Sequence, residues 1–157
     1  MEKKFGYDPH VLSLVRITFW VYLVCIPVIA VLNFLPSILY RQMQINMFMI
    51  IYILIIAYLI YQTFRVARVL KAIKRSYCVI SDHIVKGIST PDPLHTGTPF
   101  EIEKESILGV GKTRISIGSI RTFDAVLINT ASAQYTIFAA ERIKDLCTEL
   151  QSDIREG

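Results

Sequence analysis

No acid or base occurs between Ile17 and Tyr40, and none between Gln42 and Phe64. These stretches of 24 and 23 residues are separated by one charge, Arg41. A helix of either length rises about 35 Å at 1.5 Å per residue, enough to cross a hydrocarbon core of about 30 Å. Having no ionisable residue inside them argues against a proton relay or a carrier with a charged midplane site. One hairpin cannot enclose a pore either, so any transport role requires several copies. No small-x-small cleavage site is evident after the first run, which is also too long for a signal-peptide core.

Cysteine is scarce. Cys25, Cys78 and Cys147 form no CxxC and no Cys/His pair with metal spacing. An odd count without a framework fits a reducing compartment and ordinary apolar packing. Catalytic signatures are lacking too: there is no GxSxG, P-loop, HExxH or dinucleotide fingerprint. Gly109-Val-Gly-Lys-Thr113 has the wrong first glycine and spacing for a phosphate loop. Glu101, Glu103 and Glu105 line one face if extended, where solvation is the ordinary state of Glu. The expectation is a protein that is not an enzyme and holds no metal or cofactor.

What charge there is divides unevenly. The first 75 residues carry nine Lys and Arg against two acids, net +7, and residues 76–157 carry eight against eleven, net −3. The basic balance thus belongs to the membrane half, and a DNA or RNA duplex is not an expected partner of the acidic half. Lys3, Lys4 and Arg16 precede the first run, and Arg65, Arg68, Lys71, Lys74 and Arg75 follow the second. The positive-inside rule places both termini in the cytoplasm and a very short turn outside. Trp20, Tyr40 and Tyr61 suit the interfaces. The basic run serves as a stop-transfer flank that meets anionic lipid. Its spacing of three or four also puts the charges on one side of a continuing helix, a possible lever between domain and membrane.

Within the runs, Pro27 is expected to kink the first helix and Pro36 to begin the turn. Asn33, Asn46 and Gln62 are the amides expected to find partners on other helices, at about 1 kcal/mol of association each, so a homo-oligomer is expected.

The division expected is a flank at 1–16, the hairpin at 17–64, a basic linker at 65–75 and a cytosolic ligand-sensing domain at 76–157. Strands are read at 77–80, 84–88, 100–103, 107–110, 114–117, 125–129 and 134–138. A Pro-rich loop spans 89–99, and Gly118-Ser119 makes a turn. Ile143, Leu146, Cys147, Leu150 and Ile154 recur as one face of a closing helix. The fold class is an α-helical transmembrane hairpin plus a small α+β domain, an antiparallel sheet or partial barrel closed by a C-terminal amphipathic helix.

This run of short strands, with Ile107 to Val110, the last hairpin from Ala125 to Phe138 and the closing helix, is similar to bacterial pleckstrin-homology-like domains over residues 77–154. The Pro-rich loop departs from their short early hairpin. In size, order and topology the chain also resembles the two-helix membrane effectors of cyclic-oligonucleotide antiviral systems of the type III CRISPR and CBASS kinds. That resemblance implies an oligomer whose cytosolic part binds a cyclic oligonucleotide and disturbs the bilayer. The cationic and donor groups available to such an anion are His83, Lys86, Lys112, Arg114, Arg121 and Thr122, Arg supplying a planar fork for phosphate. They are otherwise separate surface charges. The second functional reading is an anchored interaction or assembly module without gating.

Overall fold

The computed structural model describes residues 2–39, 47–95, 97–117, 121–138, 140 and 142–155. The elements are β1 (Lys3–Phe5), α1 (Pro9–Leu39), α2 (Met47–Arg75), β2 (Cys78–Ile80), β3 (Ile84–Ser89), β4 (Thr98–Glu103), β5 (Ile107–Ile117), β6 (Arg121–Thr130), β7 (Gln134–Phe138) and α3 (Ile143–Arg155). A 3-10 turn, Lys104–Ser106, separates β4 from β5. The chain forms two compact units, Leu14–Ala67 and Met1–Ser13 with Arg68–Gly157.

The first unit holds the apolar lengths of α1 and α2. Helix α1 starts with Pro9 in its first turn, after Asp8, whose Oδ1 accepts the His10 N–H at 2.8 Å. It continues past both Pro27 and Pro36 to Leu39, so Pro36 lies in the helix rather than beginning a turn. The expected connector at Arg41 and the amide Asn46 lie outside the described residues. Both helices are long and apolar enough to cross a membrane, and only 6% and 11% of their apolar windows are buried within the chain. The central helix of a water-soluble domain would bury such side chains. Here Leu32 and Leu54 stay 68% and 64% exposed, as suits helices that could cross a membrane.

Asn33 Nδ2 donates to the Ile29 carbonyl at 2.8 Å, and Gln62 Nε2 donates to the Tyr58 hydroxyl at 2.7 Å. Each amide gives one donor to a group one turn back on its own helix. Gln62 Oε1 is buried without a hydrogen-bond partner among the described residues.

In the second unit the strands form two antiparallel sheets, ordered β1-β2-β3-β4 and β5-β6-β7, and not a closed barrel. The 3-10 turn redirects the chain, so β5 starts a new sheet with β6 instead of pairing with β4. The sheets meet where Thr90 N donates to the Thr136 carbonyl at 2.7 Å and Thr136 N donates to Ser89 Oγ at 3.0 Å. Period-two alternation buries Val85, Phe100 and Ile102 from the first sheet and Val126, Ile128 and Ile137 from the second. Helix α3 adds Leu146, Cys147 and Leu150 to the same core, as the spacing predicted. The Ile154 side chain is outside the described residues.

Three features depart from the sequence reading. Strand β5 is unbroken through Gly111, because β6 pairs along it from Ile107↔Thr130 to Ile117↔Arg121 and supplies a continuity the local sequence lacks. Strand β6 begins at Arg121, four residues before the predicted start. The third is β1, three residues too few to show a period. It pairs with β2 in the register Lys3↔Ile80, Lys4↔Val79 and Phe5↔Cys78. Tyr7 forms a further bridge with Ala140, and Lys3 makes an ion pair with Glu149 of α3. The residues expected to be a free flank are therefore part of the folded domain, which the expected boundary at 76 would cut.

Two outcomes follow from this packing. Phe5 is half-buried against the core, so Phe5→Ala should cost about 1–2 kcal/mol, read as a lowered midpoint of thermal unfolding. Cys78 is fully buried, and that burial pushes its thiol from 9.0 up to about 12. Above pH 9.0 the unfolded chain loses this proton while the native chain keeps it, so stability falls as pH rises towards 12. Denaturant unfolding at stepped pH should show a slope component of up to about 1.4 kcal/mol per pH unit that Cys78→Ala abolishes.

Candidate functional site

The residues singled out for an anion are spread over the domain. His83 sits in the turn between β2 and β3, where its carbonyl accepts the Lys104 N–H at 3.0 Å. Lys86 on β3 pairs with Glu101, its cross-strand partner on β4, at 2.9 Å. Arg114 on β5 pairs with Asp124, its partner on β6, at 3.4 Å. Exposed cross-strand pairs of this kind contribute little stability, but each carboxylate offsets a cation that a ligand would need. Arg121 opens β6, and its side chain lies outside the described residues, as does the Gly118-Ser119 turn.

Lys112 and Thr122 are brought together. They line a cleft of about 600 Å³ with Arg142 and Lys144 at the start of α3. Asp8, Asp124 and Asp145 line it as well, so among the described residues its three bases face three acids. Such a balanced lining suits a zwitterion better than a polyanion.

A second cleft, of about 320 Å³, is built differently. One wall is the end of α2, contributing Arg68, Lys71, Ala72 and Arg75, and the other is the Pro-rich loop, contributing Leu94, His95 and Gly97. No carboxylate lines it among the described residues. Helix periodicity explains the first wall: positions 69, 72 and 73 are buried, which turns 68, 71 and 75 outward. None of the three side chains has a hydrogen bond or ion pair among the described residues.

The loop wall is held in place by its own bonds. Asp92 Oδ1 accepts the Leu94 N–H at 2.9 Å, and its Oδ2 lies 2.8 Å from His95 Nδ1. Pro93 is buried, as are Ser89 and Thr90 at the loop's root. Gly97 approaches that root so closely that a Cβ would lie 2.4 Å from Ile88 Cγ2 and 2.5 Å from Thr90 Oγ1. Only glycine permits this approach.

Sequence reasoning found the basic run and its helical spacing but read it as a lipid-facing flank and a lever, not as the wall of a site. The facing wall was not legible, because nothing local says that the Pro-rich loop returns to α2. No protein-family model matches the chain, no curated protein matches it, and no solved structure matches its fold.

Gly97→Ala should destabilise the domain by about 1–3 kcal/mol through overpacking at the loop root, measured by chemical denaturation. The exposed exchange Lys86→Ala should stay within about 0.5 kcal/mol.

Proposed function

We propose that the protein is an oligomeric effector of the bacterial inner membrane, in which an anionic second messenger bound by the cytosolic unit shifts the membrane helices and perturbs or opens the bilayer. The observation that carries this reading is the continuity of α2. One helix runs from Met47, through an apolar length able to cross a membrane, into the basic cleft at Arg68, Lys71 and Arg75. A ligand held there acts on the membrane helix itself.

The pairing of β1 with β2 supports the hairpin topology. Strand β1 precedes α1 and β2 follows α2, so two crossings have to return the chain to the side it left. The excess of Lys and Arg on that side supports the cytosolic assignment. The layout favours a cyclic oligonucleotide as messenger, in an antiviral role. The cleft rather than the scattered strand residues is where we place it, because Arg68, Lys71 and Arg75 are not paired with carboxylates among the described residues.

A ligand moves such an equilibrium only by its preference for one state. A tenfold rise in the open population corresponds to a preference of about 1.4 kcal/mol. Full-length protein in dye-loaded vesicles of neutral lipid should release dye about tenfold faster when cyclic oligoadenylates or cyclic dinucleotides are added. No change with any of them would favour the second reading, an anchored pleckstrin-homology-like assembly module. That reading has one observation of its own: Leu108 on β5 is 70% exposed, an apolar side chain free to meet a protein partner.

A further inference from the structure

We infer that the cleft between the end of α2 and the Pro-rich loop is a site for a ligand bearing two or more separate phosphate groups. The inference rests on the anion-binding part of the proposed function and not on gating.

A plain stop-transfer flank needs charge but no shape. This one has a preorganised opposing wall: Asp92 fixes the turn that presents His95, and the close seat of Gly97 fixes where the loop meets β3. The cations stand at three heights. Along the helix, Lys71 lies about 4.5 Å beyond Arg68, and Arg75 about 6 Å beyond Lys71. A guanidinium fork or an ammonium engages one phosphate at a time in a tight charge-assisted contact. Donors spread over about 10 Å of helix therefore match phosphates spread over a similar length. The C-terminal end of α2 carries partial negative charge, so the side chains and not the backbone hold the anion.

Height also bears on the source of the phosphates. Arg68 lies about 6 Å along α2 from the end of the apolar run at Phe64, and Arg75 about 16 Å. The polar zone on each side of a bilayer is about 5–8 Å deep. For a helix near the membrane normal, the phosphates of ordinary phospholipids reach Arg68 only. Lys71 and Arg75 call for a head group carrying further phosphates or for a free polyphosphorylated molecule.

Full-length protein in phosphatidylcholine nanodiscs provides the test. Free probes are inorganic phosphate, tripolyphosphate and cyclic tetra-adenylate, followed by titration calorimetry. The lipid arm compares phosphatidylglycerol with phosphatidylinositol bisphosphate in the discs, each against an unlabelled competitor, tripolyphosphate. Lys74 is the internal control: it is exposed on the same helix and carries the same charge, but it does not line the cleft. Tripolyphosphate or cyclic tetra-adenylate should bind more tightly than inorganic phosphate by about tenfold or more. Lys71→Ala and Arg75→Ala should each weaken binding about tenfold, and Lys74→Ala less than about twofold.

Binding of the free probes identifies a soluble ligand. Retention of phosphatidylinositol bisphosphate alone, with the same ranking of variants, identifies a lipid head group. Equal losses in Lys71→Ala and Lys74→Ala would reduce the effect to diffuse charge and overturn the inference, as would no binding in either arm. Probe binding without dye release would leave the site standing and remove the gating reading. Dye release unaffected by Lys71→Ala and Arg75→Ala would do the reverse.

Discussion

Three residues at the start of the chain, Lys3–Phe5, are hydrogen-bonded to a strand that begins at Cys78. Everything between them leaves the domain through α1 and comes back through α2. Without β1 the edge of β2 would be open and Cys78 would lose Phe5, one of its two cross-strand neighbours. With it, both helices are tied at their domain ends to one folded body. A hairpin tied at one end only would be an anchor. Here both helices run into the same folded domain, α1 from the β1 side and α2 into β2.

Helix α2 is built for two solvents in one continuous element. Among its described residues up to Tyr61 the side chains are apolar or aromatic and mostly exposed, as suits a helix long enough to cross a membrane. From Arg68 it is amphipathic: Val69, Ala72 and Ile73 are buried, and the cations face outward. The basic end follows the apolar length that could cross a membrane and forms one wall of the cleft. These roles are compatible because the charges that stop a helix from entering lipid are the charges that attract a phosphate.

Much of this organisation was legible in the residues. The apolar runs, the charge division, most strands and the face of α3 follow from periodicity and composition. Some readings went astray where local pattern was a poor guide. Gly111 reads as a break, yet cross-strand pairing carries β5 through it. Lys86 and Arg114 read as free cations, yet register sets Glu101 and Asp124 opposite them. Cross-strand register joins residues far apart in sequence, and a pass along the chain does not display it.

By itself the sequence determined that two helices able to cross a membrane precede a small, mildly acidic α+β domain, and that positive charge gathers at the junction. Helix length against bilayer thickness and the placement of charge are one-dimensional constraints, readable in order along the chain. Only the tertiary structure decided that β1 belongs to the domain, that the strands form two sheets instead of a barrel, and that the Pro-rich loop faces Arg68, Lys71 and Arg75 to make a cleft. Those outcomes rest on contacts between distant segments. Hydrogen bonds such as Thr90 to Thr136, and the space that Gly97 leaves beneath the loop, select one arrangement among several that the same local propensities allow.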